Sequence, residues 1–169
     1  MKPISKVQCG ALLSVWLERH SSPDVVKQIV RDTGYNDSPF FGAEKKKIKI
    51  FGEVLIVNCA MAIFAVNQVL KFEAAKEVID AFLLAAKTPI FGFIERKDPG
   101  FQKRYPGRMA DYFKVMSGSK PALGLSYSFF ENIDQNPLDN LEGQFLLAAR
   151  FSAFLNSTID MLQTFSFID

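Results

Sequence analysis

The chain has 169 residues, a common length for a single domain and enough for an independent hydrophobic core. Its content of 49% hydrophobic and 22% charged residues argues against an intrinsically disordered protein. The 20 basic and 18 acidic side chains leave a formal charge of +2, which is too small for the strong positive field of a dedicated nucleic-acid binder. We therefore expect one domain over residues 1–169 and no nucleic-acid partner.

Two amphipathic helices are predicted first in the chain. One should end near His20, because its apolar side chains recur on a single helical face. Those side chains are Ile4, Val7, Ala11 and Val15. The other should run to about Asp32, because Ser22 followed by Pro23 is a typical helix start. A loop is then predicted over residues 35–39.

The N-terminal sequence and the cysteines indicate the cellular location of the protein. Its apolar positions are interrupted by Gln8, Glu18 and Arg19 and lack the small-residue cleavage pattern of a secretory signal. Both cysteines, Cys9 and Cys59, lie in apolar helix-like segments and are expected to be buried, reduced thiols. These features predict a cytoplasmic protein.

The third predicted helix is long, beginning at residues 39–43 and ending near Lys71. It contains the most apolar window of the chain, which Glu53 and Asn58 interrupt together with two other polar side chains. The uninterrupted apolar part is shorter than the roughly 20 residues of a membrane span, so no span is expected and a central helix of a soluble bundle is favoured. Inside such a helix, Glu53 is expected to pair with Lys49 one turn away.

The middle of the chain is predicted to be less regular. A fourth helix over residues 73–87 should place Phe72 and Phe82 on its apolar face, and a short helix should follow over 90–96. Residues 95–108 contain two Pro-Gly pairs and predict an ordered surface loop. Basic side chains in this region are candidate contacts for a protein partner, with a solvated loop and a nucleic-acid contact as the alternative interpretations. They are Arg96, Lys97, Lys103, Arg104 and Arg108.

The C-terminal third ends in the longest amphipathic pattern. Helices are predicted over residues 109–116 and 127–133, and a last one from Leu138 to about Phe167. That last helix carries two apolar seams on roughly opposite sides. The first seam contains Leu138, Leu141, Phe145, Ala148, Ser152, Leu155, Ile159 and Leu162. The second contains Leu147 and the four candidate partner-binding residues, Phe151, Phe154, Met161 and Phe165.

The residue types that usually carry catalysis are scarce. The single histidine, His20, is expected at the C-terminal end of the first helix, where a cation would interact favourably with the helix dipole. One histidine and two cysteines are too few for zinc sites with closely spaced ligands, and no Glu-x-x-His pair of a di-iron bundle occurs. The motifs of a phosphate-binding loop and of a nucleophile elbow are also missing. We therefore expect no metal, no cofactor and no enzymatic activity; the remaining catalytic hypothesis would use Glu53 or His20.

The pattern as a whole predicts an all-α protein, a compact bundle of about six to seven helices with two long central helices. The 17 phenylalanines, about one residue in ten, exceed what one small core needs and favour a partner surface. We therefore expect a non-enzymatic protein–protein interaction module or complex subunit that self-associates. The alternative hypothesis is a bundle that binds an apolar small molecule in its core, with Glu53 and Asn58 as the internal polar groups.

Overall fold

Helices make up most of the fold in the computed structural model, which describes residues 1–34 and 43–168. The elements in chain order are β1 (Lys2–Ser5), α1 (Lys6–His20), α2 (Pro23–Asp32), α3 (Ala43–Val69), α4 (Phe72–Ala86), a π-helical segment (Lys87–Phe91), α5 (Gly92–Lys97), α6 (Phe101–Met116), α7 (Pro121–Asn132), a 3₁₀ turn (Pro137–Asp139), α8 (Leu141–Gln163) and β2 (Phe165–Ile168). The predicted all-α bundle with two long helices, α3 and α8, is confirmed. The loop predicted at residues 35–39 lies outside the described residues.

Side-chain caps set the first two helix starts. The Ser5 hydroxyl accepts a hydrogen bond from the Gln8 amide at 3.2 Å, and the Gln8 side chain accepts one from the Ser5 amide at 3.0 Å. Ser22 caps α2, with Pro23 at its first position. These interactions satisfy amide groups that have no partner within the helix. The predicted start of α2 is confirmed.

The predicted apolar face of the first helix is wrong. Ile4 lies in β1, and Val7 and Val15 are 71% and 54% exposed. The buried face of α1 instead contains Leu13 and Leu17, because neighbouring helices cover that side.

The core is built around α3. Nearly every side chain from Ile50 to Val66 is buried, and α3 contacts each of the other α-helices. Because neighbours surround it, α3 has no wide polar face, which is typical of a central helix.

The closest helix pair is α1 with α4. Gly10 allows this approach, because a Cβ atom at position 10 would lie 2.6 Å from the Ala81 Cβ and 2.6 Å from the Phe82 backbone nitrogen. Phe82 is fully buried at this contact, as predicted. Phe72 is 77% exposed instead of buried, so that part of the prediction is wrong; it is the first residue of α4 and lies at the end of the buried face.

The predicted surface loop at residues 95–108 is mostly helical, so this prediction is wrong. Only Asp98–Gly100 separates α5 from α6, and Pro106 lies within the second turn of α6. A proline there removes one backbone hydrogen bond, but burial of Phe101 and Tyr112 on the same helix favours continuation.

The C-terminus also departs from the prediction. The helix expected to reach Phe167 ends at Gln163, and β2 then pairs in parallel with β1, with Lys2 opposite Phe165 and Ser5 opposite Ile168. Phe165 therefore belongs to a strand and does not extend the helical seam. A local helical pattern cannot reveal this pairing, because the partner strand lies at the other end of the chain.

Among the described residues, α3 and α8 are both long and apolar enough to pass a membrane-span test based on length and composition. In α3, 83% of the apolar window is buried inside the bundle, which is typical of a soluble core helix. In α8 the corresponding share is 33%. The absence of a membrane span therefore stays a prediction. Most of the apolar window of α8 is not buried by the rest of the chain.

Candidate functional site

The exposed side of α8 carries large apolar residues. Leu141 is 54% exposed, Phe145 61% and Leu146 46%, and Leu138 in the preceding 3₁₀ turn is 65% exposed. We define the outer face of α8 as Leu141, Glu142, Phe145, Leu146, Ala149, Ala153, Asn156 and Asp160, all of which are exposed. Neighbouring apolar side chains left in water on one helix mark a candidate interaction surface.

The opposite side of α8 belongs to the core. Phe151 is 1% exposed and Phe154 4%, and the Phe151 ring meets the Phe129 ring edge-on at 5.8 Å between centroids. Their predicted role as accessible partner-binding residues is therefore wrong. Met161 and Phe165 are half-buried and packed against the same core. The sequence shows that α8 has two apolar sides, but only the fold shows which one neighbouring helices cover.

Spacing on the outer face follows a 4-3-4-3-4 pattern through Glu142, Leu146, Ala149, Ala153, Asn156 and Asp160. This is the spacing of a seam between two packed helices. Large side chains lie toward the N-terminal end, alanines in the middle and polar side chains toward the C-terminal end. A second helix could approach closely at Ala149 and Ala153, because alanine adds little bulk there.

A buried polar cluster is centred on Glu53 of α3. Glu53, 4% exposed, accepts hydrogen bonds from the Tyr112 hydroxyl at 2.6 Å and from the Asn132 side-chain amide at 2.9 Å. The Asn132 carbonyl oxygen in turn accepts one from the Arg108 guanidinium. The predicted pair of Glu53 with Lys49 is wrong, because Lys49 pairs with Asp134 at the surface. The cluster joins α3, α6 and α7 and satisfies a carboxyl group that would be costly to bury alone.

Protonation of Glu53 should be linked to folding. Burial raises the pKa of Glu53 above its ordinary value of 4.5, although the hydrogen bonds from Tyr112 and Asn132 and the charge of Arg108 oppose that shift. The same burial raises the pKa of Tyr112 well above its usual range, so the phenol stays a neutral donor. Because the folded state binds the Glu53 proton more tightly than the unfolded chain does, this group stabilises the fold below pH 4.5 and loses that contribution as the pH rises through its folded pKa.

The variant Glu53→Gln isolates this effect, because glutamine keeps an acceptor oxygen but does not titrate. The free energy of unfolding of the wild type, minus that of the variant, should fall as the pH rises above 4.5 and through the folded pKa of Glu53. Urea denaturation at several pH values measures it. A difference that grows with pH would show instead that Arg108 holds Glu53 ionised in the folded protein.

Asn58 and Glu53 do not share a ligand site. The Asn58 side-chain amide donates to the His20 carbonyl oxygen at 3.0 Å and to the Ser21 hydroxyl at 3.1 Å, which satisfies the end of α1. Asn58 also lines a cleft of about 330 Å³ beside His20 and Phe154. The two polar groups therefore have separate structural partners, and an apolar ligand beside Asn58 stays a prediction.

His20 is the last residue of α1, as predicted, but its environment favours the neutral ring. Burial lowers the pKa of His20, and the nearby charges of Arg19 and Arg150 lower it further. The ring packs against Trp16 and Phe154, with centroid distances of 4.4 and 5.1 Å. These effects outweigh the favourable helix dipole that the sequence suggested, and they indicate a packing role.

The five basic candidates do not form one exposed loop. Arg104 pairs with Asp98, and Arg108 is held by Asn132 at the edge of the buried cluster. The other three are exposed: Arg96 and Lys97 in the last turn of α5, and Lys103 on α6. Their role in binding a partner stays a prediction.

Both thiols are buried and unpaired with each other, which agrees with the expected reduced cysteines. Burial raises the pKa of Cys9 to about 11 and that of Cys59 to about 12, so neither is a reactive thiolate near neutral pH. The Cys59 sulfur lies 3.2 Å from the Tyr105 hydroxyl.

Within residues 1–34 and 43–168, no group of three or more His, Cys, Asp or Glu side chains is arranged to hold a metal ion. Its exposed apolar side chains make the outer face of α8 the strongest candidate site for the predicted interaction function.

The chain matches no family model, and neither a curated protein nor a solved structure is significantly similar to it.

Proposed function

We propose that this protein is a non-enzymatic helical interaction module that forms a homodimer through the outer face of α8. The observation that carries the proposal is the exposure of Leu141, Phe145 and Leu146 on consecutive turns of a helix whose other side already lies in the core. Monomeric soluble proteins seldom leave such neighbouring side chains in water unless the surface binds something.

The outer face is complementary to itself in an antiparallel arrangement. If a two-fold axis passes near Ala149, Phe145 of one copy lies opposite Ala153 of the other. Glu142 then lies level with Asn156, and no charged side chain opposes another of the same sign along these turns. Large side chains thus meet small ones, as an isologous interface requires.

The expected affinity is modest. Complete burial of a large apolar side chain contributes about 1.5–3 kcal/mol, and these side chains are already about half buried. Burial of three such side chains from each copy then contributes on the order of 7 kcal/mol to the free energy of association. The loss of translational and rotational freedom costs about 4–15 kcal/mol. The most favourable balance is then about 3 kcal/mol, so we expect a weak dimer that dissociates in the millimolar range and has to be studied as a function of concentration.

Sedimentation equilibrium of the double variant Phe145→Ser/Leu146→Ser tests the proposal. The wild type should show a concentration-dependent dimer, and the double variant should remain monomeric with unchanged helicity, because serine removes the apolar contact area. Leu84→Ser is the matched control, since Leu84 is 74% exposed on α4 and lies outside the proposed interface.

Two outcomes would contradict the dimer. One is a wild type that stays monomeric at every concentration; if it also bound lipid vesicles, the outer face would contact a membrane surface instead of a second copy. The other is a double variant that dimerises as strongly as the wild type, which would place the interface elsewhere. The cytoplasmic location inferred from the N-terminal sequence stays a prediction in either case.

A further inference from the structure

A second candidate site lies away from α8, between α2, the N-terminal half of α3 and α5. We call it the α2–α3–α5 groove; its volume is about 430 Å³. The side chains that form its floor are apolar: Val26, Val30, Ile48, Phe51, Phe93 and Ile94. Phe51 and Phe93 meet edge-on at 6.1 Å between ring centroids, which closes the floor between α3 and α5.

Basic side chains from three of the described helices line this groove. Lys27 and Arg31 come from α2, Lys47 from α3 and Lys97 from α5. No carboxylate is among the described residues that line the groove. Lys27 also pairs with Asp24, whose carboxylate lies 3.4 Å from the Lys27 ammonium and outside the lining of the groove. Cations from three separate helices therefore converge on one apolar depression.

We propose that the α2–α3–α5 groove binds a free medium- to long-chain fatty acid, with its acyl chain on the apolar floor and its carboxylate at the basic rim. Burial of a hydrocarbon chain against the apolar floor is favourable, and the basic side chains of the rim attract an anionic head group. A neutral apolar ligand would have no charge to complement the basic rim, and a polar anion would leave the apolar floor in water.

The size of the groove favours a single chain. Its volume lies near the lower end of the ~300–1,000 Å³ range of small-molecule sites. One acyl chain fits this space, whereas a two-chain phospholipid needs considerably more.

Calorimetric titration of the full chain with decanoate, dodecanoate and tetradecanoate tests the proposal. Each two-carbon extension should tighten binding about tenfold until the floor is filled, because each buried methylene contributes a similar free energy. Dodecanol, which has the same chain without the charge, should bind at least tenfold more weakly than dodecanoate.

A pair of matched variants locates the site. Arg31→Gln/Lys97→Gln removes two exposed rim cations and should weaken dodecanoate binding at least tenfold with unchanged helicity. Lys76→Gln/Lys114→Gln removes two exposed cations, on α4 and α6, outside the groove and should leave binding unchanged. Loss of the α8 dimer would not affect these results, because the outer face shares no residue with the groove.

Three results would overturn the proposal. The first is the absence of dodecanoate binding. The second is equal weakening by both double variants, which would indicate non-specific attraction of an anion to a basic surface. The third is binding to anionic lipid vesicles without binding of monomeric dodecanoate, which would assign the groove to a membrane surface.

Discussion

Replacing Phe151 by alanine should lower the free energy of unfolding by about 3–5 kcal/mol. Phe151 is 1% exposed on the inner side of α8, where its ring packs edge-on against Phe129. The substitution removes a large buried apolar surface and leaves a cavity that the surrounding helices can close only in part. Chemical denaturation of the monomer, at a concentration well below dimer formation, measures the loss.

Phe145 provides the matched control, because it is the same residue type on the same helix but 61% exposed. Phe145→Ala should change the free energy of unfolding of the monomer by no more than about 0.5 kcal/mol. The same substitution should weaken the dimer, so the two variants separate folding from association. If Phe151→Ala and Phe145→Ala lowered the free energy of unfolding equally, the placement of Phe151 in the core and of Phe145 on the exposed side of α8 would be contradicted.

Replacing Gly10 by alanine should lower the free energy of unfolding by about 2–3 kcal/mol. The new Cβ atom would lie 2.6 Å from a backbone nitrogen, that of Phe82, and the backbone cannot move aside as a flexible side chain can. The α1–α4 contact would have to open, although alanine is the better helix former. Thermal and chemical denaturation of the variant measure the cost.

Gly107→Ala is the opposite case and serves as the control. Position 107 lies in α6, and a Cβ atom there would meet nothing within 4 Å. The substitution should therefore stabilise the protein by up to about 1 kcal/mol through helix propensity alone. If Gly10→Ala, like Gly107→Ala, did not lower the free energy of unfolding, the close approach of α1 and α4 would be contradicted.

Local sequence signals predicted the elements that depend on local interactions. Ser22 and Pro23 define the start of α2 because a cap and a fixed backbone angle act within one turn. The Pro106-Gly107 pair was misleading, because tertiary burial along α6 outweighs a single missing hydrogen bond. Pro121, in contrast, is the first residue of α7, so this helix begins six residues before the predicted start at residue 127.

Features that depend on distant parts of the chain could not be predicted in this way. The Tyr112 and Asn132 partners of Glu53 lie 59 and 79 residues away, whereas Lys49, the neighbour along the helix, pairs elsewhere. The α2–α3–α5 groove likewise combines residues from three separated helices. For α8, periodicity identified two apolar sides, and only the packing of neighbouring helices decides which side stays exposed.

Oxidative cross-linking of Ala149→Cys tests the proposed dimer most directly. In the antiparallel arrangement Ala149 faces its own copy near the two-fold axis, at a distance compatible with the ~4.4–6.8 Å between Cα atoms of a disulfide. The buried Cys9 and Cys59 should not compete. Asn156→Cys is the control, because its two copies would lie about 21 Å apart along the helices.

We predict a covalent dimer for Ala149→Cys and none for Asn156→Cys under mild oxidation. Failure of Ala149→Cys to cross-link at concentrations where the wild type is dimeric, or equally efficient cross-linking of both variants, would contradict an antiparallel dimer through the outer face of α8.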